Sequence, residues 1–220
     1  MELSLDDVVS ELGRGTRALL LVRHSERPKI GFEDRTFGAS LPLTPRGERL
    51  CLEFGRRLAD AADDVQFAAS PLLRTRMTAE LVAAGMGRAG AAVELDAAIG
   101  NGSAFVADEL EVWRLFSDGS FFARMAEYLS AGVQRGFNPI GPAAAAYERH
   151  VLSKFSARLG IFATHDVYVA AYLHATGVKT DFTRANWPCF LDAAAVLLSP
   201  DGSVRRAFVR SGLSSLACGV

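Results

Sequence analysis

Cysteine is scarce in this chain, with Cys51, Cys189 and Cys218 the only three in 220 residues. They are odd in number, far apart and form no CxxC pair, which argues against both a disulfide framework and a zinc site. Long apolar runs are also lacking. Residues 18–22 are apolar but too few to cross a bilayer. Residues 1–17 are charged and hold no apolar core of signal-peptide length. Neither charge sign dominates: 24 basic and 25 acidic residues leave a net charge of −1. That balance argues against a general nucleic-acid or membrane-surface role. Internal repeats and low-complexity linkers are absent. A cytoplasmic protein without nucleic-acid or membrane partners is therefore expected, as one domain over residues 1–220.

What is present alternates. Residues 3–12 read as an amphipathic helix and 17–23 as a buried strand, short and continuously apolar. Residues 29–43 are rich in Gly, Pro and charge and read as a loop. Thr44-Pro45 signals an N-cap with proline at the first helical position, opening a helix to about residue 61. Residues 65–69 form a second strand. Ser70-Pro71 repeats the cap-then-proline signal for a helix to about residue 84. A short strand is expected over 93–95 and a loop over 96–103, which carries Gly100 and Gly102. Three helices follow, over 107–116, 121–131 and 142–159, with a turn over 139–142; together they make a helical insert, 104–158. Residues 160–164 are a strand, 166–176 a helix closed by Gly177, and 193–198 with 204–209 a hairpin. The hairpin's first strand is a candidate exposed edge, and Arg205, Arg206 and Arg210 are expected to face solvent. This order predicts a three-layer α/β/α sandwich with a mostly parallel sheet.

Ligands of open α/β sheets bind beyond the carboxyl ends of the strands. Three such ends are legible. The first carries Arg23, His24 and Arg27, the second leads to Arg74, and the third carries His165 and Asp166. Together they supply three guanidinium groups, two imidazoles and a carboxylate.

This set resembles the histidine phosphatase superfamily, with its phosphoglycerate mutase-like fold. Arg23-His24-Ser25 resembles the family's Arg-His-Gly signature. Ser70-Pro71-Leu72-Leu73-Arg74-Thr75 with Thr78-Ala79-Glu80 resembles its second arginine motif, and Leu43-Thr44-Pro45-Arg46-Gly47 a common helix opening. Arg23-His24-x-x-Arg27 and His165-Asp166 are closer to the acid-phosphatase branch. The resemblance runs from Leu19 to about Leu198.

The resemblance implies a metal-independent phosphomonoesterase that needs no cofactor. His24 attacks phosphorus and becomes phosphohistidine. Arg23, Arg27, Arg74 and His165 clamp the phosphoryl group, since guanidinium forks match its oxygens. Asp166 gives the leaving oxygen a proton and then activates water. Neighbouring arginines disfavour imidazolium and so keep His24 nucleophilic, and its other ring nitrogen is expected to donate to a backbone carbonyl. The partner implied is a small phosphorylated substrate or a phosphoprotein; the oligomeric state is not legible.

Two departures from the family pattern bear on the site. Ser25 stands where the family has glycine, so its Cβ is expected to narrow the pocket or its hydroxyl to touch phosphate. In the other branch the acid is a glutamate after the second arginine helix, where this chain has Ala97; Asp96 and Glu26 are therefore further candidates beside Asp166. Bland readings stand beside these: Arg74 as an ion-pair partner of Glu80 or Glu53, Asp166 as a helix cap, and Trp113, Phe116, Phe121, Phe122 and Tyr128 as packing residues, some of them lining the substrate mouth. A phosphomutase and a non-catalytic phosphoryl-ligand binder are the competing functions.

Overall fold

The computed structural model describes residues 1–31, 33–100 and 104–214, so Gly102, Ser103 and Cys218 lie outside it. Its strands are β1 (Glu2–Ser4), β2 (Arg17–Arg23), β3 (Val65–Ala69), β4 (Val93–Leu95), β5 (Leu159–Thr164), β6 (Ala193–Leu198) and β7 (Val204–Arg210). They form one mixed sheet in the order β1-β7-β6-β2-β5-β3-β4. β2, β5, β3 and β4 run parallel, β6 runs antiparallel to both of its neighbours, β2 and β7, and β1 pairs parallel with β7.

The helices are α1 (Leu5–Gly13), α2 (Pro45–Arg57), α3 (Leu73–Gly85), α4 (Glu109–Phe116), α5 (Phe121–Ala131), α6 (Ile140–Lys154) and α7 (Asp166–Ala175). They cover both faces of the sheet. Strand side chains alternate between faces, so Leu19 and Leu21 of β2 join one core while Ala18, Leu20 and Val22 join the other. α4 to α7 pack over the first face and α1 to α3 over the second. Each large apolar side chain so enclosed contributes roughly 1.5–3 kcal/mol. This is the expected three-layer α/β/α arrangement, and both faces of β2 are dry, which is why it reads as an unbroken apolar run.

Several boundaries differ from the sequence pattern. β1 precedes α1, whose first residue is Leu5 because Ser4 and Asp7 form a reciprocal capping box there. α2 ends at Arg57 rather than about residue 61. α6 opens at Ile140, so residues 140–142 are helical rather than a turn, and it ends at Lys154. Leu159 belongs to β5. β6 is not an edge, because β2 and β7 flank it; β1 and β4 are the edges. The β7 arginines face carboxylates instead of open solvent: Arg205 pairs with Glu11, Arg206 with Glu148 and Arg210 with Asp192. No helix among the described residues is long and apolar enough to cross a membrane.

Candidate active site

The parallel register brings three strand ends level. Arg23 pairs with Thr164 across β2 and β5, and Ala69 with Ala163 across β3 and β5. The ladder continues one step further, with His24 N–H donating to the Thr164 carbonyl and Ser70 N–H to the Ala163 carbonyl. His24, His165 and Ser70 therefore stand side by side. The two imidazole centroids are 5.4 Å apart.

The His24 ring is buried, and its Nδ1 lies 2.7 Å from the Ser25 carbonyl oxygen. A carbonyl only accepts, so the proton of the neutral ring sits on Nδ1 and Nε2 keeps its lone pair. Burial, then Arg74, His165, Arg23 and Arg27, hold the His24 pKa well below the usual histidine value. His165 is lowered for the same reasons, burial first and Arg74 next. Its Nδ1 faces Arg74 Nη2 at 3.4 Å, and arginine cannot accept, so Nε2–H donates to Ser70 Oγ at 3.1 Å.

Each guanidinium is steered by backbone. Arg23 is buried, with Nη1 donating to the Pro188 carbonyl at 2.5 Å and Cζ 4.2 Å over the Phe190 ring. Arg74 Nη1 donates to the carbonyls of Phe37 and Gly38, both at 2.9 Å. Burial, then Arg27, lowers the Arg74 pKa to about 9. Half-buried Arg27 donates to the Pro28 carbonyl at 2.8 Å. The ion-pair reading of Arg74 fails, since Glu80 is held by Arg76 and Glu53 by Arg56 and Arg57. Two non-glycine residues beside these arginines adopt left-handed backbone, Phe37 (φ +52°) and Leu191 (φ +66°). Such strain costs about 1–3 kcal/mol each and clusters at functional sites. Here it turns the Phe37 carbonyl to Arg74, and lets Leu191 N–H donate to the Arg23 carbonyl.

Asp166 opens α7. Its Oδ2 accepts from Trp187 Nε1 at 3.1 Å and lies 3.4 Å from Arg23 Nη2; its Oδ1 accepts the Val167 N–H. Its carboxylate thus reaches the cluster as well as serving the helix start. Arg23, His24, Arg27, Arg74, His165 and Asp166 all line one cavity of about 240 Å³.

Three expected residues behave differently. Ser25 is buried with Oγ donating to the Gly47 carbonyl at 2.8 Å, so its hydroxyl is turned to α2 and neither narrows the pocket nor meets phosphate. A Cβ on Gly47 would strike the Glu26 carbonyl, which is why glycine lets α2 approach this loop. Glu26 accepts from Thr44 Oγ1 at 2.8 Å and Arg46 Nη1 at 2.6 Å, fastening the start of α2. Asp96 caps the short 3₁₀ turn Ala97–Ile99 and faces His150 Nε2 at 2.6 Å. Neither Glu26 nor Asp96 is among the described residues lining the cavity.

Sequence reasoning missed four contributors. Ser70 is not a helix cap, because α3 begins at Leu73 and Ser70 Oγ is engaged by His165 and Thr75. Trp187, one of only two tryptophans, reaches Asp166 from 21 residues away. Phe37 gave no signal beyond its place before Gly38, since an αL phenylalanine is not expected from sequence. Gly100 was read only as loop. A Cβ there would lie 2.7 Å from His165 Cδ2, so glycine admits the imidazole.

Residues 19–101 match the family described as histidine phosphatase superfamily, branch 1. The matched segment contains His24 and Arg74 and stops before His165-Asp166, the pair that had suggested the acid-phosphatase branch. No curated protein matches the sequence. Solved structures with a similar fold include a phosphoglycerate mutase from Bacillus anthracis, at 14% identity and TM-score 0.58 over 94% of this chain and 98% of that one. A mycobacterial glucosyl-3-phosphoglycerate phosphatase gives 16% and 0.56 over 88% and 97%. A phosphoserine phosphatase from Entamoeba histolytica, bound to 3-phosphoglyceric acid, gives 14% and 0.57 over 89% and 98%.

Proposed function

We propose that this protein is a phosphomonoesterase that works through a phosphohistidine on His24, with a small phosphorylated molecule as substrate. The observation that carries the reading is the His24 ring itself, its Nδ1–H held on the Ser25 carbonyl and its setting crowded by three arginines. Nε2 attacks phosphorus, forming the N–P bond while the bond to the leaving oxygen breaks. Arg23, Arg27, Arg74 and His165 hold the phosphoryl oxygens and oppose the charge that builds on them. A dianion seated on Arg23 draws that guanidinium away from Asp166, which enters the step in its acid form, gives its carboxyl proton to the leaving oxygen and becomes the carboxylate. In the second half, water attacks phosphorus, Asp166 takes its proton, the N–P bond breaks and phosphate departs from a regenerated His24.

Ser25 no longer favours a non-catalytic binder, because its side chain leaves the phosphate side open. The test is turnover of a panel of phosphomonoesters, including nitrophenyl phosphate, with inorganic phosphate measured. Release in the wild type that is lost in His24→Ala is expected. Transfer of the phosphoryl group to a second hydroxyl in place of release, as a mutase performs, overturns it, as does unaltered turnover by His24→Ala.

A further inference from the structure

The cavity has two unlike ends. One is the arginine and histidine cluster. The other is walled by Phe37, Val106, Trp113, Phe116, Phe121 and Tyr168, contributed by the loop before α2 and by residues 104–121 together with α7. These rings support one another: Phe116 packs edge-on to Phe121 at 4.8 Å, and Phe121 to Trp187 at 5.5 Å. The left-handed backbone at Phe37 belongs to this wall as well as to the Arg74 contact.

Charge sharpens the contrast. The cations among the described lining residues are Arg23, Arg27 and Arg74, all in the phosphate cluster. Away from it the charged lining residues are acidic, Asp34 and Glu109. Asp34 accepts from Thr36 N–H and Oγ1 and from Gly38 N–H, which hold its carboxyl below the usual range. Arg35 lies over the Trp113 ring, 4.9 Å from its centroid, and is not part of the lining. Among the described lining residues, a substrate whose body carries a carboxylate would meet two carboxylates and no further guanidinium beyond the phosphate cluster. Desolvating such a charge without a partner is costly, whereas an apolar body gains from every area it covers.

We infer that the substrate is a phosphomonoester with an uncharged apolar body, aryl or alkyl, seated against the aromatic wall, and not a phosphorylated carboxylic acid. The inference rests on the phosphoryl group occupying the cluster of the proposed reaction, and it concerns what lies beyond that group.

Phosphonates test it without turnover. Methylphosphonate, 1-naphthylmethylphosphonate and phosphonoacetate are titrated against the wild-type protein, following tryptophan fluorescence or heat. Covering about 80 Å² of the naphthyl group corresponds to roughly 30-fold tighter binding than methylphosphonate, and phosphonoacetate is expected to bind no better than methylphosphonate. Trp113→Ala narrows the naphthyl-to-methyl ratio to below about threefold. Equal affinity for the naphthyl and methyl compounds, or tighter binding of phosphonoacetate, overturns the inference while leaving the phosphatase reading standing. A preserved naphthyl preference in a protein that hydrolyses nothing sinks the phosphatase reading instead. If none of the three binds, the phosphate cluster is misassigned and both fall.

Discussion

His24 and His165 stand edge to face, 5.4 Å between centroids, and their hydrogen bonds place their protons on different nitrogens. His24 holds its proton on Nδ1 against the Ser25 carbonyl, while His165 holds its own on Nε2 against Ser70. In the proposed reaction the first ring attacks through Nε2, and the second, its Nδ1 turned to Arg74, steadies the clamp. Two neutral imidazoles among three arginines are a consistent arrangement, because a charge on either would be buried beside like charges.

That arrangement fixes a pH dependence. Both histidines have folded pKa values below the ordinary 6.5. Above pH 6.5 neither the folded nor the unfolded chain protonates them, so they leave stability unchanged. Below it the unfolded chain binds protons that the folded one does not. Stability therefore falls as the pH drops below 6.5, by up to about 1.4 kcal/mol per unit for each histidine. Thermal melts between pH 7.5 and 5 check this, and His165→Asn is expected to shallow the slope. Activity should likewise persist below pH 6.5, with its acid limb shifted down. Arg74→Met moves that limb back up, because Arg74 is the foremost charge acting on His24.

Asp166 is held between Arg23 and Trp187, where a carboxyl can serve a leaving oxygen. Asp166→Asn is expected to slow alkyl phosphate hydrolysis by about 10²- to 10⁴-fold. Nitrophenyl phosphate, whose leaving group needs little protonation, should lose less than about tenfold. Equal losses on the two substrates count against the proton-donor role. Glu26→Gln and Asp96→Asn, at carboxylates engaged elsewhere, are expected to retain activity on both substrates to within about threefold.

Ser25→Ala separates a structural role from a catalytic one. The Ser25 hydroxyl serves the buried Gly47 carbonyl. Its removal should cost about 1–3 kcal/mol of stability and change kcat/KM by less than about threefold. Denaturant melts and kinetics on one preparation read both. A large kinetic loss with an unchanged melt would mean that the hydroxyl touches substrate.

The strands that build the site were legible because β2, β3 and β6 are short apolar runs bounded by turn residues, and their order implied the layers. β1 was not, since Glu2-Leu3-Ser4 offers no apolar run and its pairing with β7 joins chain segments some 200 residues apart. The arginines and histidines were legible because they sit at strand ends, where position alone brings them together. The side chains that orient them were not. Ser70-Pro71 carries the local signal of a helix cap, yet His165 claims the serine from another strand. Trp187 meets Asp166 only after α7 and the following loop fold back, and Phe37 meets Arg74 through a backbone conformation that phenylalanine seldom adopts. Ser25 was misjudged because the direction of one Cβ depends on where α2 packs, which no local pattern encodes.

The central claim is a covalent bond between His24 and phosphorus. The most direct measurement is rapid quenching of the protein after brief exposure to a ³²P-labelled phosphomonoester, followed by peptide mapping. The account predicts label that is stable in alkali and labile in acid, on the peptide containing His24, absent in His24→Ala and accumulated in Asp166→Asn if dephosphorylation slows more than phosphoryl transfer. Turnover that proceeds with no label at His24 under any quench time, or label retained in His24→Ala, would contradict it.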